Sequence, residues 1–205
     1  MSDNQNTNTA PVTEQDINIL KKIRIEKLDE LKASNKNPYE ITKYNVTSSN
    51  KDAKAAYEKS ESELKAQVGE EALKNLLAEN RIHVSIAGRI MSWRNMGKAN
   101  FIHVRDGSDN MQVYVRMNDI GKDEFAEFKK WDIGDIIGIE GYVFRTMKGE
   151  VSVHAEKLTL LSKSLLPLPE KWHGLKNQDI RYRQRYVDLI CNPEVKDTFV
   201  KRSMI

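Results

Sequence analysis

Between His83 and Leu161 apolar side chains recur at every second residue in five separate stretches, and that is the period a half-buried β-strand imposes. The stretches are HVSIAGRIMSW, Phe101–Arg105, Met111–Val115, GDIIGIEGYVF and EVSVHAEKLTLL, the last two joined by the turn TMKG. Between the third and fourth lies NDIGKDEFAEFKKW, where Phe125 and Phe128 stand three apart and fit one helical turn. Three strands, a helix and two more strands, with glycines at the bends, predict a mainly β, α+β chain built on a five-stranded OB-type barrel over residues 81–162. Other small barrels share that order.

The flanks carry a different pattern. Residues 1–16 lack Lys, Arg and aromatic side chains and are expected to form a disordered tail. Ile17, Leu20, Leu28 and Leu31 then recur at near-helical spacing, beside Lys21, Lys22, Arg24 and Lys27, whose charges are expected on a solvated face. Ala, Glu, Lys and Leu dominate Ser48–Asn80, which gives a helical amino-terminal extension over residues 17–80, interrupted at Gly69. Pro167 and Pro169 stiffen a linker over residues 163–178. Ile180–Ile190 is expected to be a charged helix stopped by Asn192-Pro193, the beginning of a second domain over residues 179–205.

Composition narrows the function classes. The 205 residues are 39% hydrophobic, enough for a core, and no apolar run approaches the ~18 residues of a membrane span. Lys plus Arg exceed Asp plus Glu by 33 to 30, a net charge of +3 that permits an anionic partner without requiring one. The single cysteine, Cys191, suits a reducing cytoplasm and is expected to be a buried or half-buried thiol. No glycine-rich phosphate loop is followed by Lys-Ser/Thr, and the dispersed His83, His103, His154 and His173 make no zinc set, so neither a cofactor nor a metal is expected in this chain. Trp93, Trp131 and Trp172 are expected as core or hinge anchors.

Alternation also determines what the second and third strands display. If Ile102, Val104, Met111, Val113 and Val115 enter the core, Phe101, His103, Arg105, Gln112 and Tyr114 must face outward. That row can be a platform for single-stranded nucleic acid, with a ring to stack on a base and amide and cationic groups to read its edge. It can equally be a cross-strand pair of Phe101 with Tyr114 under a loop or helix, a contact worth about 0.2–1 kcal/mol. Arg94 and Lys98 flank the turn NMGK, and Glu150 opens the last strand, all within reach of the same surface. An acidic group there fits uracil, whose pairing edge presents an acceptor, a donor and an acceptor: a carboxylate takes the N3 proton while Arg and Gln donate to the carbonyls. Cytosine presents no such proton.

The segments AGRIMSWRNMGKANFIHVRDGSDNMQVYV, FKKWDIGDIIGIEG, KGEVSVHAEKLTLLSKSLLPLPEKWHGL and RYRQRYVDLI together resemble bacterial-type lysine–tRNA ligases, which are class II aminoacyl-tRNA synthetases. The resemblance implies an anticodon-binding barrel, with Phe101 stacking on the central uridine and Arg94, Gln112 and Glu150 reading it; Lys98 and His103 are further candidate RNA contacts. It further implies a cytoplasmic homodimer that joins lysine to tRNA through lysyl-adenylate, using ATP and Mg2+ held by a carboxyl-terminal catalytic domain. That domain would only begin within residues 179–205, so no catalytic residue is expected here. The barrel motifs are shared with aspartyl- and asparaginyl-tRNA ligases; LPLPEKWHGLKNQDIRYRQRYVDLI favours the lysine enzyme. A free-standing, non-enzymatic tRNA- or single-strand-binding module stays open as the alternative. Arg181, Arg183 and Arg185 are expected to pair across an interdomain or subunit surface.

Overall fold

The computed structural model describes residues 14–68, 70–169, 175 and 178–205. Residues 1–13 of the expected tail, the interruption at Gly69, and Trp172 and His173 of the linker lie outside the described residues. The chain divides into two compact units, one ending at Leu165 and the other starting at Leu166.

In the first unit, helix α1 spans Glu14–Ala33, so Glu14, Gln15 and Asp16 are helical rather than part of a tail. It stops where Asn35 takes the left-handed conformation at φ 55°, a position that Asn tolerates and most residues avoid. Helix α2, Asn50–Lys65, is capped by the Ser49 hydroxyl, which accepts from the Asp52 amide at 3.1 Å. Helix α3, Glu70–Glu79, leads into the barrel.

The barrel strands are β1 (Ile82–Asn95), β2 (Ala99–Arg105), β3 (Asn110–Arg116), β4 (Ile136–Arg145) and β5 (Val151–Ser162). They close in the order β1-β2-β3-β5-β4, antiparallel everywhere except between β3 and β5. This is the expected OB arrangement. The single helix expected between β3 and β4 is two, α4 (Met117–Ile120) and α5 (Lys122–Phe128), because Gly121 at φ 93° breaks it. Ile86, Ile102, Val104, Met111 and Val113 fill the interior with no exposure, and α5 stops one end with the buried Phe128. Trp93 stacks on Phe128 at 4.3 Å and Trp131 meets it edge-on at 5.5 Å, so both are core residues as expected. Opposite Gly141 the partner strand β5 bulges at Glu156, and a Cβ on Gly141 would lie 1.9 Å from the His154 carbonyl oxygen, so only glycine permits this approach.

The charged face of α1 is not wholly solvated. Arg24 is buried and donates to the Ser164 and Ile133 carbonyls at 2.9 and 3.1 Å, while Lys27 Nζ meets Asp132 Oδ1 at 2.8 Å. Asp132 in turn binds Lys163, whose side chain is 1% exposed and which also reaches Asp135, fully buried, at 2.8 Å. These groups lock α1 and the end of β5 to the loop before β4. The cluster is satisfied as a unit, which is the condition under which buried charge is tolerated.

The second unit contains α6 (Gln178–Arg183), α7 (Arg185–Cys191) and α8 (Pro193–Met204). The helix expected over residues 180–190 is interrupted at Gln184, and Pro193 opens α8. Arg181 and Arg185 pair locally with the buried Asp188, and Arg183 lies 3.6 Å from Asp179, so each of these three arginines has an acidic neighbour within the unit. Cys191, the chain's single cysteine, is half-buried as expected and forms no disulfide.

Burial pushes the Asp132 carboxyl upward, but hydrogen bonds from Lys163 and Lys27 outweigh it and hold it below the usual carboxylate range. A carboxyl depressed in the folded state contributes stability above its unfolded value near ~3.9, and loses it as pH falls toward the folded value. The melting temperature is therefore expected to drop through this window, and to drop less in Asp132→Asn, in scanning calorimetry between pH 6 and pH 2. Asp135→Ala leaves a buried ammonium short of a partner and is expected to cost about 3–5 kcal/mol in urea unfolding.

Candidate nucleic-acid interface

The site is built on the outer faces of β1, β2, β3 and β5. In β2 and β3 the inward residues are fully buried, and Phe101, His103, Gln112 and Tyr114 are half-exposed, as alternation requires. The register pairs Phe101 with Tyr114 and His103 with Gln112, and their outward side chains form one continuous row. The Phe101 and Tyr114 rings lie 4.9 Å apart with planes tilted by 39°. They are thus a cross-strand pair and, on their outer side, an accessible aromatic surface.

Arg94 reaches this face through an irregularity. Strict alternation from Val84, Ile86 and Ile90 would put Ser92 and Arg94 on the buried side. A bulge leaves Met91 without a partner between Ile90↔Val104 and Ser92↔His103, which reverses the parity of everything after it. Ser92 then faces outward opposite His103, Trp93 turns into the core opposite Ile102, and the exposed Arg94 stands opposite Phe101. Arg94 makes no ion pair among the described residues, so its guanidinium is open to a ligand. Lys98 is exposed in the β1–β2 turn.

Glu150 joins the row because β5 runs parallel to β3, with Ser152 in register with Gln112. Gln112 Nε2 donates to Glu150 Oε2 at 2.6 Å, and Gln112 Oε1 accepts from the Ser152 hydroxyl at 2.9 Å. The acceptor-only Glu150 carboxylate takes the amide nitrogen and the fully buried Ser152 hydroxyl holds the amide oxygen, which together set oxygen toward the barrel and nitrogen toward Glu150 and the open face. On the other side of Glu150, His103 Nε2 lies 3.5 Å from Oε1, and His103 Nδ1 is 2.8 Å from the Ser92 hydroxyl. The carboxylate thus accepts from Gln112 and has the His103 ring nitrogen close by, and one amide proton of Gln112 is left for a ligand. Ser92 and Ser152 were not among the candidates from sequence; Ser152 shares the outward parity of His154, but its place beneath Gln112 depends on a register that alternation alone does not give.

Arg94, Phe101, Gln112 and Glu150 thus share one face, as the sequence led us to expect, with Lys98 and His103 at its margin. His154 does not join them. It is 15% exposed, with Nε2 at 2.8 Å from Asp119 Oδ2 and Nδ1 at 3.1 Å from the Tyr142 hydroxyl, so both ring nitrogens are engaged in the barrel wall. The face offers a stacking ring, an anionic acceptor and cationic and amide donors, which complement a planar ring whose edge alternates acceptors with a donor. Among the described residues no group of His, Cys, Asp and Glu is arranged to hold a metal ion, and no helix is long and apolar enough to cross a membrane.

Comparison with known proteins agrees with this geometry. Residues 84–161 match the tRNA anti-codon family model, described as an OB-fold nucleic acid binding domain. The chain is 48% identical over 196 residues to the lysine–tRNA ligase of Syntrophomonas wolfei, a match that covers 95% of this chain and 36% of that protein. It is 46% identical over 192 residues to the lysine–tRNA ligase of Pelotomaculum thermopropionicum and 43% identical over 192 residues to that of Clostridium tetani, covering 94% of the chain and 34% of each relative. The chain therefore spans about a third of the length of these curated relatives.

If the Ser152 hydroxyl orients the Gln112 amide, Ser152→Ala is expected to reduce the preference for uracil over cytosine in a single-stranded ligand by about 1 kcal/mol. Fluorescence titration of both proteins with RNA loops differing in that base measures this; an unchanged preference would assign the amide's orientation to something else.

Proposed function

We propose, starting from the homology of this chain with lysine–tRNA ligases over nearly its whole length, that its barrel recognises a tRNA anticodon whose middle base is uracil. The observation that carries the reading is the gathering of Arg94, Phe101, Gln112 and Glu150 on one outer face, with the Gln112 amide already set against the Glu150 carboxylate. Phe101 stacks on the base, Glu150 accepts the N3 proton, and Arg94 and Gln112 donate to the carbonyl oxygens. Lys98, exposed beside the turn, and His103, next to Glu150, add contacts to the backbone or to neighbouring groups.

The relatives matched are ligases, and we infer that this barrel serves a longer enzyme that attaches lysine to tRNA through lysyl-adenylate. ATP, Mg2+ and lysine would bind a catalytic domain of which residues 179–205 are the start, and the whole would be a homodimer in the cytoplasm. No residue of this chain is assigned to adenylate formation. The role of the chain is to hold the correct tRNA by its loop, while the chemistry takes place in another domain.

Phe101→Ala is expected to weaken binding of an anticodon stem-loop with a central uracil by about 1–3 kcal/mol while leaving the melting temperature near that of the parent protein, since the ring lies outside the core. Glu150→Gln is expected to erode uracil-over-cytosine discrimination more than total affinity, because the amide presents a donor to cytosine as readily as an acceptor to uracil. Titration with stem-loops differing only at the middle base measures both. Retained affinity in the first variant, or retained discrimination in the second, would overturn the reading.

A further inference from the structure

The aromatic surface does not end at Phe101 and Tyr114. From Tyr114 it passes to Phe144 at 6.2 Å and on to Tyr142 at 6.3 Å, two outward residues of β4. There it enters a cleft of about 730 Å³ between β4 and helices α2 and α3, lined among others by Tyr57, Leu77, Arg81, Tyr142, Phe144 and Arg145. This volume is in the range of ligand sites.

The cleft is basic and aromatic. Arg81 is exposed and sets its guanidinium 4.2 Å from the centre of the Tyr142 ring, and it makes no ion pair among the described residues. Lys65, also lining the cleft, is exposed at the end of α2. Arg145 is already committed: its guanidinium holds Glu61 at 2.9 and 2.5 Å and donates to the Gly149 carbonyl, which shapes the wall and cancels the nearest acidic group. What remains for a ligand is a positively charged edge beside ring surfaces. Tyr142 is itself fixed, because its hydroxyl meets His154 Nδ1 at 3.1 Å, and its ring is already covered by Arg81 and by the His154 ring stacked on it at 4.8 Å, which leaves Phe144 as the open ring of the cleft.

We propose that this cleft is a second nucleotide subsite, in which a base neighbouring the one on Phe101 rests against Phe144 while its phosphate meets Arg81. The proposal rests on the anticodon reading above, and extends it to a part of the barrel that the base-reading residues do not touch. An OB fold typically tracks about 4–16 nucleotides, whereas the Phe101 row accounts for one. The aromatic surface is continuous, with ring-to-ring steps of 4.9 and 6.2 Å from Phe101 through Tyr114 to Phe144, so a strand leaving the first base has a path to the cleft.

The test uses the present chain, heptauridylate as probe, and the variants Arg81→Gln and Phe144→Leu beside Phe101→Ala. Arg81 is exposed, so its replacement leaves the fold in place, and circular dichroism verifies this for Phe144→Leu. Each cleft variant is expected to bind heptauridylate about threefold to tenfold more weakly, and Arg81→Gln to reduce the slope of log affinity against log salt by about 0.7, the value for one phosphate contact in a single strand. Uracil preference at the middle base of a stem-loop is expected to be unchanged in both. Parent-like affinity and salt slope in Arg81→Gln, together with parent-like affinity in Phe144→Leu, would overturn the subsite even when Phe101→Ala abolishes binding. Loss of discrimination or binding confined to the Phe101 and Glu150 variants tests the first reading alone, so the two can fail separately.

Discussion

A strand that buries one face must display the other, and barrel closure makes this rule binding. Because β1-β2-β3-β5-β4 closes on itself, no strand can slip by one residue without forcing buried valines and isoleucines into water and polar groups into the core. Burying a Val or Ile side chain contributes about 1.5–3 kcal/mol, and Ile102, Val104, Val113 and Val115 all sit at zero exposure on two adjacent strands. Their partners on the outer side, Phe101, His103, Gln112 and Tyr114, are placed as a consequence. Recognition is here a by-product of packing: the core determines which groups a ligand can meet.

The charged cluster at the other end of the barrel serves a different purpose. Lys163, Asp135 and Asp132 form a buried group to which α1 adds Lys27, with Arg24 on carbonyls nearby. Such clusters contribute little net energy over an apolar packing of the same shape, but a mispositioned helix would leave the charges unpaired, which is costly. The cluster thereby specifies where α1 sits. On the outer face, Ser152 does the same on a smaller scale, orienting an amide by giving its oxygen one good partner.

The element order and the display face were legible from sequence because period-two patterning runs unbroken through β2 and β3 and over much of the other strands. Gln112 and Tyr114 follow directly from Met111, Val113 and Val115. Arg94 was legible only as a neighbour of the site: the bulge at Met91 that turns it outward carries no sequence signal beyond an apolar residue out of phase. Ser152 escaped because its role depends on the parallel β3–β5 register between residues distant in the chain. Arg24 and Lys27 read as solvated charges in the sequence because a helix pattern shows which residues are polar, not whether the Ser164 and Ile133 carbonyls and the half-buried Asp132 carboxylate lie opposite. Gly121 split an expected helix for a local reason, a positive φ.

The β3–β5 pairing has a consequence for timing. Glu150 and Ser152 belong to the last strand, and they meet Gln112 through the barrel's parallel seam, whose partners are far apart along the chain. Such contacts close late, since loop entropy must be overcome before they form. A polypeptide emerging from the ribosome with only its first four strands exposed would therefore own the aromatic platform, Arg94 and Gln112 but lack the carboxylate that tells one pyrimidine from another. Discrimination is complete only once the seam has closed.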